Sequence, residues 1–150
     1  MKKNFFSFCI MLSVVFSGHA QLQSPSEFLP SYGKQITHYH QVENYFKQLT
    51  EKSTLIKHQK YGVTPELRDL NVFFISTPEN LANLEQIRLN NLASIGMAPN
   101  QSKTVGDKLI VWLSFNVHGN EWAGTESALT VAYELTNPEN KTTKEWLKNI

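Results

Sequence analysis

Two histidine–glutamate pairs in the sequence have the spacing of metal ligands. They are His40-Gln41-Val42-Glu43 and His118-Gly119-Asn120-Glu121. A His-x-x-Glu pair can supply one imidazole nitrogen and one carboxylate oxygen to the same zinc ion, each at about 2.0 to 2.2 Å. Spacing alone is a weak signal, because a chain of 150 residues with 5 His and 13 acidic residues contains roughly 0.4 such pairs by chance. The surroundings of each pair therefore have to distinguish them.

The second pair follows a run that is predicted to be a buried strand. Residues 109–115, Leu-Ile-Val-Trp-Leu-Ser-Phe, are nearly all apolar, which is typical of a central strand covered on both faces. The carboxyl ends of such strands carry the sites of α/β proteins, and Gly119 would allow a tight turn there. Glu121 is predicted to start the next helix, whose dipole favours an ionised carboxylate. The alternative is a capping Glu beside an unrelated loop His.

The first pair lies in the middle of a predicted helix over residues 37–52, with Thr37 as its cap. His40 and Glu43 have polar neighbours and flank an apolar stripe of Tyr39, Val42, Phe46 and Leu49. Such a position is typical of the solvated side of an amphipathic helix. We therefore expect the chemistry at His118 and Glu121.

The remaining elements place the second pair in an α/β chain. Strands are predicted at 55–61 and 70–76, and the turn around Gly62 and Pro65 favours a hairpin between them. Thr77 and Pro78 have the types of a helix cap and first helical residue, which predicts a helix to residue 95. Further helices are predicted at 122–136 and, as a short element, at 143–148. This alternation indicates an α/β fold, with a mixed β-sheet flanked by helices.

With these elements placed, two stretches resemble one known family. Residues 116–124, Asn-Val-His-Gly-Asn-Glu-Trp-Ala-Gly, are similar to the first zinc-ligand motif of the zinc carboxypeptidase family, the relatives of carboxypeptidases A and B. Residues 61–70, Tyr-Gly-Val-Thr-Pro-Glu-Leu-Arg-Asp-Leu, resemble the hairpin pattern of that family. The resemblance implies that residues 35–150 are the N-terminal part of a truncated carboxypeptidase-like catalytic domain, preceded by an irregular lead at 21–34.

The resemblance also implies roles for residues around the motif. His118 and Glu121 would be two of the three protein ligands of a catalytic Zn²⁺, and Asn120 would be in a position to contact substrate. The family's third ligand, its carboxylate-binding arginines and its general base lie downstream, so we expect no catalytic acid or base within this chain. Trp122 is expected to pack under the site. Glu126 is either a hydrogen-bond acceptor behind the ligands or, as we favour, a surface or structural charge.

The N-terminus has the three parts of a secretory signal peptide. Lys2 and Lys3 precede an apolar run at 5–16, and Gly18 and Ala20 stand before the polar Gln21. The run is shorter than the about 20 residues that span a bilayer. We therefore expect removal of residues 1–20, a secreted or periplasmic protein, and no transmembrane anchor after cleavage. Because the single cysteine, Cys9, lies in this leader, a metal site in the mature chain must use His and carboxylates.

Composition and resemblance together define the expected function. A formal net charge of +1 gives no field that favours nucleic acid or an anionic membrane as partner. The resemblance implies a zinc metallocarboxypeptidase that hydrolyses C-terminal peptide bonds in peptides or proteins with a free C-terminus, although this chain alone is expected to be inactive. Two alternatives stay open. One is a zinc amidohydrolase related to aspartoacylase and succinylglutamate desuccinylase, which also carry a His-Gly-Asn-Glu motif, and the other is a non-catalytic secreted module or inactive fragment.

Overall fold

The computed structural model describes residues 21–99 and 108–150. Within these ranges no helix has the length and apolar character needed to cross a membrane. The leader predicted at 1–20 lies outside the described residues. The elements are, in chain order, α1 (Pro25–Phe28), α2 (Tyr39–Lys52), β1 (Ile56–Val63), β2 (Asp69–Ile75), α3 (Pro78–Ala82), α4 (Leu84–Ser94), α5 (Trp122–Thr136) and α6 (Lys141–Trp146).

Strands β1 and β2 form the antiparallel hairpin that the sequence predicts. Their pairing runs from Ile56 opposite Ile75 to Val63 opposite Asp69. In the turn, Leu67 has φ 60, a left-handed conformation that bulky residues rarely adopt. Helices flank this hairpin, so the α/β class is confirmed for the described part of the chain.

The hydrophobic core forms where α2 and α5 pack together against the hairpin. Tyr45, Leu49 and Leu129 are fully buried, and the ring of Phe46 stacks on that of Phe73 with centroids 4.3 Å apart. Burying such side chains supplies about 1.5–3 kcal/mol each. The buried cluster consists of Leu29, Tyr45, Leu49, Ile56, Leu129 and Ala132.

The predicted apolar stripe of α2 is only partly correct. Leu49 is buried, and Val42 and Phe46 pack against the core, but Tyr39 is 41% exposed. Tyr45, which the stripe omits, is at the centre because α2 contacts both the hairpin and α5 and so buries a wider face than one stripe. The Tyr45 hydroxyl donates to the Gln23 carbonyl oxygen at 3.0 Å, which satisfies its polar end.

Helix boundaries follow local signals with three corrections. The lead at 21–34 is not wholly irregular, because it contains α1. His38, not Thr37, is the N-cap of α2. The helix predicted at 77–95 is interrupted at Asn83, whose side-chain amide donates to the Glu79 carbonyl oxygen at 2.8 Å, a local bond that competes with continued helix. The Thr77 cap is confirmed, since its hydroxyl oxygen accepts from the Asn80 N–H at 3.2 Å.

The prediction of a buried central strand at 109–115 is wrong for this structure. These residues form no strand and are exposed, and Trp112 is 78% exposed. A central strand needs partners along both edges, whereas in the described residues the sheet has two strands that pair with each other. The segment is nevertheless anchored at its start, because the Leu109 N–H donates to the Asn149 carbonyl oxygen at 3.0 Å.

Candidate metal centre

His118 and Glu121 lie in a turn that is organised by Asn116. Asn116 has φ 54, and Asn tolerates this left-handed region better than most residues. With the amide oriented to satisfy its neighbours, its nitrogen donates to the carbonyl oxygens of His118 at 3.3 Å and Glu121 at 2.7 Å. The Glu121 N–H also donates to the His118 carbonyl oxygen at 3.0 Å. The turn therefore wraps around the Asn116 side chain.

The residue that makes this turn possible differs from the one predicted. Gly119 was expected to supply the tight turn, but the positive φ angles of described glycines are at Gly33 and Gly96. Gly124, and not Gly119, is the glycine that the packing of the turn requires, because a Cβ at Gly124 would lie 3.1 Å from the Asn116 backbone nitrogen. The preference of Asn for left-handed turns is the sequence signal that could have identified Asn116.

Replacing Asn116 with alanine is expected to open this turn. The substitution removes the two side-chain hydrogen bonds. It also leaves alanine in the left-handed conformation of residue 116, which costs about 1–2 kcal/mol for a residue with a Cβ atom. Hydrogen exchange of the Glu121 amide should then accelerate about tenfold. Asn116→Gly is the matched control, since it loses the same bonds but keeps the conformation, and a smaller acceleration is expected. Equal exchange rates of the Glu121 amide in both variants would show that the left-handed conformation at residue 116 does not destabilise the alanine variant.

The two predicted ligands face each other across the turn. His118 Nδ1 lies 3.4 Å from Glu121 Oε1. Two donor atoms that each lie about 2.0–2.2 Å from a tetrahedral zinc ion are themselves about 3.4 Å apart. One ion can therefore bind both atoms with little rearrangement, so this pair fits two of the positions around zinc.

The His118–Glu121 pair is open to solvent. The side chains of His118 and Glu121 are 72% and 60% exposed, and Asn120 beside them is also exposed. Among residues 21–99 and 108–150 no group of three or more His, Cys, Asp or Glu side chains could hold a metal ion. A catalytic zinc usually has three protein ligands and a water, so the pair of His118 and Glu121 would by itself leave one protein ligand to be supplied.

Comparison with known proteins gives the family of the chain. The sequence profile of the zinc carboxypeptidases matches residues 42–150, a range that contains the hairpin, the His118 turn and α5. The chain belongs to the zinc carboxypeptidase family. No significant match to a curated protein or to a solved structure accompanies this result. The family resemblance predicted from residues 61–70 and 116–124 is thereby confirmed.

Of the two residues near the zinc carboxypeptidase motif that were given other roles, Trp122 differs from expectation and Glu126 agrees with the favoured one. Trp122 does not pack under the site, because it is 46% exposed. Glu126 takes the structural form of the expected role, since it is buried. Its Oε1 atom accepts from the Gly33 N–H at 3.2 Å and from the Thr37 hydroxyl at 3.1 Å. Glu126 therefore attaches the segment before α2 to α5, the helix that follows Glu121.

The other His-x-x-Glu pair of this zinc carboxypeptidase chain has no such geometry. The His40 ring stacks on His38 with centroids 5.9 Å apart, while Glu43 Oε1 accepts from the Tyr39 hydroxyl at 2.5 Å. Partial burial of that hydroxyl, reinforced by the Glu43 carboxylate, raises the pKa of Tyr39 to about 12. Tyr39 thus remains a donor to Glu43 at neutral pH, which agrees with the expectation that this pair is a helix flank.

Proposed function

We propose that this chain is the N-terminal part of a secreted or periplasmic zinc carboxypeptidase in which His118 and Glu121 are two of three zinc ligands. The observation that carries the proposal is the 3.4 Å separation of His118 Nδ1 and Glu121 Oε1 in a chain of this family. The signal-peptide pattern of residues 1–20 supports export. The proposed substrates are peptides or proteins with a free C-terminus.

Each residue of the turn has a distinct part in this proposal. His118 would offer an imidazole nitrogen, and Glu121, the N-cap residue of α5, would offset the charge of the cation. Asn116 holds the backbone of both residues, and Asn120, which is exposed, would contact a bound peptide. When bound, a zinc ion would polarise the scissile carbonyl of the substrate and lower the pKa of a water molecule. A third ligand and a general base have to come from residues other than those described.

Hydrolysis of matched substrates by the full-length gene product that contains this chain tests the proposal. We expect cleavage of a peptide with a free C-terminus, and no cleavage of the same peptide with an amidated C-terminus. A chelator should abolish the activity and Zn²⁺ should restore it. Glu121→Ala should reduce hydrolysis to background, whereas Glu43→Ala, which changes the other His-x-x-Glu pair, should retain it.

Two outcomes would replace this proposal with its alternatives. Preferential hydrolysis of N-acyl amino acids would favour the aspartoacylase-like amidohydrolase. Absence of any hydrolysis in a preparation with stoichiometric zinc would favour a non-catalytic module.

A further inference from the structure

The segment before α2 is fastened to the N-terminal half of α5 by side-chain hydrogen bonds. The Gly33 N–H and the Thr37 hydroxyl both donate to Glu126 Oε1, at 3.2 and 3.1 Å. The Tyr32 hydroxyl donates to the Glu126 carbonyl oxygen at 3.1 Å and lies 2.5 Å from the Thr130 hydroxyl oxygen. Both the side chain and the backbone of Glu126 are therefore bonded to the same segment.

Buried groups make these contacts, and the segment is also part of the hydrophobic core. Glu126 is 8% exposed and Thr37 is 6% exposed. Burial of a carboxylate is costly unless donors surround it, so the donors and Glu126 hold each other in place. Leu29 is buried in the same cluster as Leu129. We call residues 29–37 the N-terminal strap, because they are anchored in the core and cross to α5.

The N-terminal strap meets α5 close to the end where Glu121 is the N-cap. Glu126 follows Glu121 by five residues, which is about 7.5 Å along a helix. A second buried hydrogen bond, from the Ser53 hydroxyl to the Thr136 carbonyl oxygen at 2.7 Å, fastens the opposite end of α5, about 22 Å from Glu121. The contact at Glu126 is thus the one that can fix the first turn of α5.

A zinc site requires the start of α5 to be fixed relative to the core. His118 and Glu121 belong to one turn, so they keep their mutual distance when that turn moves. In the proposed function the third ligand comes from another part of the protein, and metal–ligand distances vary by only about 0.2 Å. A small movement of the turn relative to the core would therefore separate the pair from the third ligand.

We propose that the N-terminal strap supports the metal centre, and that Glu126 is a positioning residue that holds the His118–Glu121 pair in place through its bonds to Gly33 and Thr37. The inference rests on the proposed role of that pair as zinc ligands. Contact of the strap with α5 then favours zinc binding. Because such coupling is reciprocal, bound zinc favours contact of the strap with α5.

Competition with a chromophoric chelator in the full-length gene product that contains this chain tests the proposal. Thr37→Val removes the hydroxyl donor with little change in side-chain size and should weaken zinc binding about fivefold or more. Thr37→Ser retains the hydroxyl and should bind zinc as the unaltered protein does. Ser53→Ala is the matched control, because it removes a buried hydroxyl at the opposite end of α5, and it should leave zinc affinity unchanged. Circular dichroism should confirm that all three variants are folded.

Hydrogen exchange of the Gly33 amide is a second measurement that needs no catalytic assay. Saturating zinc should slow this exchange about fivefold or more in the unaltered protein. A Gly33 amide that exchanges at the same rate with and without zinc would overturn the coupling of the strap to the metal centre.

The affinities separate failure of this inference from failure of the proposed function. Zinc binding by the unaltered protein with equal affinity in Thr37→Val would overturn the role of the strap and leave the ligand assignment intact. Equal losses in Thr37→Val and Ser53→Ala would mean that general stability, and not the position of the turn, sets the affinity, which also overturns it. No zinc binding by the unaltered protein would overturn the proposed function and this inference together.

Discussion

Replacing Glu126 with alanine is expected to lower the free energy of unfolding by about 3 kcal/mol. The buried carboxylate accepts hydrogen bonds from the Gly33 N–H and from the Thr37 hydroxyl, and Thr37 is itself buried. Hydrogen bonds to a charged acceptor contribute about 1.5–3 kcal/mol each. Alanine also leaves both donors without an acceptor and opens space beside α5, which adds to the loss.

Urea denaturation followed by circular dichroism measures this effect, with Glu126→Gln as the control. Glutamine retains a carbonyl oxygen that can accept both hydrogen bonds and loses the charge, so about 1 kcal/mol of destabilisation is expected. Thr37→Val should fall between the two variants, because it removes one of the two donors. If Glu126→Ala and Glu126→Gln unfold at the same urea concentration, the bonds to Gly33 and Thr37 do not stabilise the fold.

The stability of the fold depends on an interaction that the sequence does not reveal. Thr37 and Glu126 are 89 residues apart, and Thr37 has the residue type and position of a helix cap. Local preference therefore predicts a cap, whereas the packing of α2 on α5 directs the hydroxyl to Glu126 and leaves the cap to His38. Tyr45 was missed for a similar reason, since its burial results from two neighbours of α2 and not from a single periodic stripe.

The sequence correctly predicts those helix starts and turns that are determined by residues adjacent in the chain. Thr77 and Pro78 predict the start of α3, and the residues around Gly62 and Pro65 predict the hairpin turn. The apolar run at 109–115 predicts a strand, but a strand also requires partners, and residues 21–99 and 108–150 provide none for it. Apolar character identifies a segment that needs to be covered, and it does not say what covers it.

The candidate metal centre was predicted more completely than its surroundings. The placement of His118 and Glu121 in one turn follows from three-residue spacing at a helix start, which is local. The support of that turn by Asn116 does not follow from the spacing, because Gly119 has the residue type that most readily adopts a tight turn. The exposure of Trp122 was also missed, since the packing of a side chain depends on elements far along the sequence.

Titration of Zn²⁺ into the 150-residue chain should show one weak site that depends on His118. With two protein ligands and solvent in the remaining positions, we expect a Kd in the micromolar range or weaker, because tight zinc sites use three or four protein ligands. His118→Ala removes one of the two donors and should weaken binding at least tenfold. Competition with a chromophoric chelator measures both affinities and uses no catalytic assay.

His40→Ala is the matched control for this titration. His40 has the same spacing to its glutamate as His118, but Glu43 is bonded to Tyr39 and His40 is stacked on His38. Zinc affinity should therefore be unchanged in His40→Ala. Equal loss in both variants would mean that zinc binds histidines without regard to their geometry. Nanomolar binding by the unaltered chain would require a third protein ligand, and the two-ligand assignment to His118 and Glu121 would then be wrong.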